Sequence, residues 1–120
     1  MSIFKKLTNL ENQAVDFGFK WETSNQIMAQ INSEIVEVEV HLKDQQKAKL
    51  QEEIGDLLHA VFSLCVFCQL DPEETLTKSV NKFENRFKAV QQLAAKEGLQ
   101  TLNGQSFDKL MALWDQAKLK

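Results

Sequence analysis

The stretch Ile27-Met28-Ala29-Gln30-Ile31-Asn32-Ser33-Glu34-Ile35-Val36-Glu37-Val38-Glu39-Val40-His41-Leu42 decides how this chain folds. Ile27, Ile31, Ile35, Val38 and Leu42 recur at spacings of three and four, which is the apolar stripe of a helix. Glu34 and Glu37 border that stripe and project from nearly the same side. No Lys or Arg lies between Ser33 and Val40 to pair with them. A second acidic pair follows in Glu53-Ile54-Gly55-Asp56, again with three-residue spacing. If the two helices pack antiparallel, four carboxylates converge. Left unpaired they repel one another, and burial raises their pKa values. A hard divalent cation between them resolves the conflict; the alternative is a solvated acidic surface. Gly55 sits inside the second pair, where a helical Gly costs ~1 kcal/mol relative to Ala. A missing side chain there leaves room for a neighbouring helix or for a ligand.

Working outward, the spacing predicts five helices, over residues 3–18, 24–43, 46–69, 72–96 and 107–118. Thr23 or Ser24 can cap the second. Asp71-Pro72-Glu73-Glu74 combines a capping Asp, Pro at the first helical position and a Glu able to close a capping box. Gly98 supplies a stop, and Ser106 caps the last helix. In the fourth helix Leu76, Val80, Phe83, Phe87, Val90 and Leu93 form the face expected inside. From Leu57 to Leu70 the third helix is apolar nearly all round, so it must be buried on several sides, one of them against another subunit. The fold class is all-α, a single domain over residues 1–120.

Composition agrees. One Pro, four Gly and no Tyr in 120 residues argue for a few long helices. A net charge of −3 gives no basic footprint, so nucleic acid is not expected as a partner. No apolar run reaches the ~18 residues of a membrane span, and Met1-Ser2-Ile3-Phe4-Lys5-Lys6 lacks the pattern of a signal peptide. A cytoplasmic setting without membrane attachment is the expectation. Cys65 and Cys68 have no second pair to complete a zinc site and read as small core side chains.

Among basic residues, Lys78, Lys82 and Arg86 fall at four-residue intervals on one ridge. Such a ridge can hold phosphate oxygens, Arg doing so bidentately, or it can be a solvated face paired with Glu73, Glu74 and Glu84. Lys49, one turn before Glu53, is open to the same two readings. Trp114 and Lys118 are four apart near the C-terminus; the indole can stack on a base or plug the end of the bundle. His41 and His59 are single, and neither makes the Glu-x-x-His pair of a di-iron bundle. His59, one turn past Asp56, reads as a hydrogen-bonded core residue.

The ordered series Glu34-Ile35-Val36-Glu37-Val38, Glu52-Glu53-Ile54-Gly55-Asp56-Leu57-Leu58 and Asn81-Lys82-Phe83-Glu84-Asn85-Arg86-Phe87 resembles the MazG nucleotide pyrophosphohydrolases of the all-α NTP pyrophosphatase superfamily. Leu70-Asp71-Pro72-Glu73-Glu74, Trp114-Asp115-Gln116-Ala117-Lys118, Leu10-Glu11-Asn12-Gln13-Ala14 and Phe17-Gly18-Phe19-Lys20-Trp21 extend the likeness to residues 8–119. The resemblance implies a bundle of four to five helices that associates through long apolar helices as a homodimer or homotetramer. It implies hydrolysis of nucleoside triphosphates to the monophosphate and pyrophosphate, as in house-cleaning of the nucleotide pool. By position, Glu34, Glu37, Glu53 and Asp56 would bind Mg²⁺, with Glu52 beside them. Lys82 and Arg86, with Lys49, would hold phosphates, and Trp114 and Lys118 would lie near the nucleotide. Asn85 stands where the family commonly has Arg, and His59 where an apolar or aromatic residue is common.

The chemistry expected is attack of water on the α-phosphorus, with Glu37, Glu52 or Glu53 taking the proton. Carboxylate ligands suit Mg²⁺ or Mn²⁺ better than Zn²⁺. Two other readings stand beside it: a non-catalytic helical interaction module whose acids are solvated rims, and a hydrolase specialised for one nucleotide such as dUTP or dCTP.

Overall fold

A computed structural model describes residues 2–119. It contains α1 (Ile3–Phe17), α2 (Ser24–Asp44), α3 (Lys47–Phe67), α4 (Pro72–Lys96) and α5 (Phe107–Lys118), with no strand among the described residues. The class is all-α, as the sequence requires.

Local chemistry sets the boundaries. Ser2 Oγ accepts the Lys5 N–H and opens α1. Thr23 and Gln26 form a full capping box at α2, satisfying two donors that have no intrahelical partner. Asp71 accepts the Glu74 N–H at 2.8 Å, with Pro72 as the first residue of α4. Ser106 Oγ accepts the Lys109 N–H at the start of α5. α4 closes on Gly98 at φ 78°, with Leu99 N–H bonded back to the Ala94 carbonyl, the left-handed ending that Gly adopts without a Cβ penalty. Only Gln45 and Gln46 separate α2 from α3, so these helices form an antiparallel hairpin.

The chain divides into two compact units, the first ending at Thr75 and the second beginning at Leu76. In the first, the α2–α3 hairpin is the main packed pair and α1 leans on α3. α2 buries Ile27 and Ile31, and α3 buries Ser63 and Cys65. Phe4 and Phe62 meet edge to face, 5.3 Å between centroids. A single carboxylate adds the polar tie between α1 and α3. Glu11 Oε1 accepts from the buried Ser63 hydroxyl and lies 2.9 Å from His59 Nε2. In the second unit Val90, Leu113 and Ala117 form the core, flanked by Leu93, Leu102 and Trp114.

Burial departs from the sequence expectation in several places, including Ile35 and Leu42 of the α2 stripe, which are exposed. Leu76, Val80, Phe83 and Phe87, expected inside α4, are 41–58% exposed; of that stripe only Val90 is buried, with Leu93 partly so. In α3, Leu58, Val61 and Phe67 are exposed rather than enclosed, as is Leu70 just beyond it. Periodicity fixes which face is apolar, not what covers it. His59 is a surface residue, its side chain 60% exposed, held by Glu11 rather than by a core. Cys65 is buried as expected, while Cys68 is exposed and both thiols are free. No single helix among the described residues is long and apolar enough to cross a membrane.

Gly55 lies mid-helix in α3 with an ordinary helical backbone, and a Cβ there would meet nothing within 4 Å. Close packing inside this chain therefore does not account for it.

Two stability predictions follow from these contacts. Glu11→Ala strands the buried Ser63 hydroxyl and should cost about 1–3 kcal/mol in urea unfolding, with Ser63→Ala costing less because it removes the orphan along with the contact. Gly55→Ala should raise the unfolding free energy by about 0.5–1 kcal/mol, since the helix gains propensity and the methyl meets no obstacle.

Candidate functional site

The hairpin brings the two acidic pairs together. Glu34 and Glu37 come from the middle of α2, Glu53 and Asp56 from the first half of α3. Carboxylate oxygens of Glu34, Glu53 and Asp56 lie within 4.8 Å of one another. A second set, Glu37, His41 and Glu53, meets the same limit. Glu53 belongs to both and is the hub. Partial burial, then the charges of Glu37, Asp56 and Glu34, push its carboxyl above the ordinary range, with His41 opposing them. The Gln30 amide donates to Glu34 Oε1 at 2.8 Å and fixes that carboxylate along α2. The Glu34, Glu53 and Asp56 oxygens, close together and mutually repelling, make a donor set that fits a hard dication. Glu52 is exposed and outside both sets.

His41 is the residue that sequence reasoning missed. Its Nδ1 lies 3.0 Å from Asp44 Oδ2, and its Nε2 lies 4.0 Å from Glu53 Oε1. Asp44 is in turn fixed by the Gln46 N–H, which lowers its carboxyl below the usual range, with the His41 ring helping. The signal was present: Glu37 and His41 are four apart, which places them on one helix face. Lys49 sits nearby on α3 and exerts a weaker pull on Asp44.

The basic candidates belong to the second unit. A groove of about 630 Å³ there is lined by Lys78, Asn81, Lys82, Asn85 and Arg86 of α4 and by Lys118 of α5, with Ala89 and Ala117 between them. The four-residue repeat of Lys78, Lys82 and Arg86 thus meets Lys118 of α5 in one concavity with two amides. Trp114 does not line it. Its ring packs 5.8 Å from Phe83, and the Arg86 guanidinium lies 5.6 Å from its centroid. This contact steers the Arg86 head group; Trp114 serves as its platform and as part of the core.

Residues 22–91, which include all four acids and Lys82 and Arg86, match the MazG nucleotide pyrophosphohydrolase domain. The nucleoside triphosphate pyrophosphohydrolase/pyrophosphatase MazG of Thermotoga maritima is 35% identical over 109 residues, covering 91% of this chain and 41% of that protein. The nucleoside triphosphate pyrophosphohydrolase of Escherichia coli K12 is 32% identical over 111 residues, covering 91% of this chain and 42% of its own. An uncharacterized Bacillus subtilis protein, YabN, is 36% identical over 69 residues, 58% of this chain and 14% of that one. The chain spans about two fifths of the length of the first two relatives. With 70 of its 120 residues inside the matched domain (22 through 91), the chain belongs to the MazG nucleotide pyrophosphohydrolase domain family.

Proposed function

We propose that this protein hydrolyses nucleoside triphosphates to the monophosphate and pyrophosphate, with Mg²⁺ or Mn²⁺ at the acid cluster. The observation that carries the reading is Glu53, held against Glu34, Glu37 and Asp56 so that its charge is disfavoured until a cation arrives. The family and the names of the relatives support the same reaction class. These features favour it over an interaction module, for which a strained carboxylate hub has no use.

A dication at this cluster supplies charge neutralisation and lowers the pKa of coordinated water. The chain's residues do the rest. Glu34, Glu53 and Asp56 hold the ion, with Glu37 at the second set. Glu52, next to Glu53 but outside both sets, keeps its carboxylate available to take a proton from the attacking water. The water oxygen bonds to the α-phosphorus, the bond from that phosphorus to the α,β-bridging oxygen breaks, and pyrophosphate leaves. Lys82, Arg86 and Lys118 bind phosphate oxygens and offset the charge gathering on the leaving group. Asn81 and Asn85 line the same groove and offer neutral donors and acceptors. The exposed apolar faces of α3 and α4 are covered by a second copy of the chain in a homodimer. House-cleaning of the nucleotide pool in the cytoplasm is the corresponding role.

Three measurements test this reading. In ¹⁸O-water the label should enter the monophosphate and not the pyrophosphate; label in pyrophosphate would move the attack off the α-phosphorus. Glu53→Gln should keep its metal-free melting temperature at or above the parent's, since a repelled charge is gone. It should also lose the Mg²⁺-dependent rise, which for the parent at a hundredfold excess over Kd amounts to ~2.7 kcal/mol. Arg86→Ala should lower kcat by roughly 10²–10³; parent-level turnover would remove the groove from the mechanism.

A further inference from the structure

We propose that His41 is a nitrogen ligand, so that Glu37, His41 and Glu53 form a second cation position that selects a first-row transition dication over Mg²⁺. The inference rests on the reading of the acid cluster as a divalent-cation site and goes beyond the four-acid set, which contains no imidazole.

The argument begins with the two ring nitrogens. Nδ1 is 3.0 Å from Asp44 Oδ2, and an ionised carboxylate only accepts. Nδ1 therefore carries the hydrogen, and in the neutral ring Nε2 presents its lone pair. That lone pair faces Glu53 Oε1 at 4.0 Å. The separation exceeds a hydrogen bond, and it leaves a gap of the size that a bridging cation fills. Ligands ~2.1 Å from one ion are ~3.0 Å apart when adjacent and ~4.2 Å apart when opposite, and 4.0 Å falls inside that range. The Glu37 carboxylate closes the set, all three ligand atoms lying within 4.8 Å.

Orientation favours the same conclusion. The His41 side chain is only 15% exposed, and Asp44 is itself anchored by the Gln46 N–H. A carboxylate holding the far nitrogen of a ligating imidazole is the usual device for fixing its tautomer and raising its basicity. Imidazole adds little for Mg²⁺, which prefers oxygen, and much for transition ions. Glu53 is shared with the Glu34–Glu53–Asp56 set, so the two positions neighbour each other with different donor character.

The test uses Mn²⁺ and Mg²⁺ as probes on the intact chain. The chain has two histidines, His41 and His59. Electron spin-echo modulation of bound Mn²⁺ should show a directly coordinated ¹⁴N in the parent and in His59→Ala, and none in His41→Ala. Calorimetric titration should give at least tenfold tighter Mn²⁺ than Mg²⁺ in the parent. His41→Ala should weaken Mn²⁺ at least tenfold while shifting Mg²⁺ less than about twofold, and Asp44→Asn should weaken Mn²⁺ ~10-fold. His41→Gln, which preserves bulk, replaces the Ala variant if helicity by circular dichroism falls. Mn²⁺ bound to the parent without nitrogen modulation overturns the assignment of His41 and leaves the acid site standing. Failure of both ions to bind the parent overturns both.

Discussion

The first unit is organised around the α2–α3 hairpin, whose packing sets carboxylates from both helices close together. A hairpin of two helices is ordinarily held by its apolar seam, and Ile27, Ile31 and Cys65 provide one here. Yet the same seam is flanked by carboxylates from both helices, and Glu53 takes the charge of three others. Such a placement opposes folding in the absence of a counterion. A dication bound between these carboxylates would turn the repulsive contact into an attractive one. The Gln30 amide and the Asp44 carboxylate belong to the same design: each holds a neighbouring donor in place without adding to the repulsion at Glu53.

The second unit carries the complementary charge. Its groove gathers Lys and Arg side chains from α4 with Lys118 from α5, and Arg86 is steadied by the indole beneath it. Acidic side chains thus cluster in one unit, and basic side chains line a groove in the other. Metal-assisted hydrolysis of a polyphosphate needs both, because the leaving group and the attacked phosphorus are both electron-rich.

Most of the architecture was legible because its punctuation is local. Thr23 with Gln26, Asp71 with Pro72, Ser106 and Gly98 mark helix ends by residues whose hydrogen-bonding chemistry acts within four positions. Convergence of the acids was legible too, since equal three-residue spacing on two helices joined by a short turn leaves few alternatives. Burial was not. The α4 stripe from Leu76 to Phe87 reads as core, yet those side chains are exposed. The ties of Glu11 to His59 and Ser63 span 48 and 52 residues, with no periodic signal linking polar groups that far apart. His41 lies one turn from Glu37 and so was readable as a neighbour, but its contact with Asp44 depends on side-chain orientation at the end of α2, which spacing alone does not give.

Two polar links between α1 and α3 end on one oxygen atom, Oε1 of Glu11. Losing that carboxylate removes both at once, leaving the edge-to-face meeting of Phe4 and Phe62 between the same two helices.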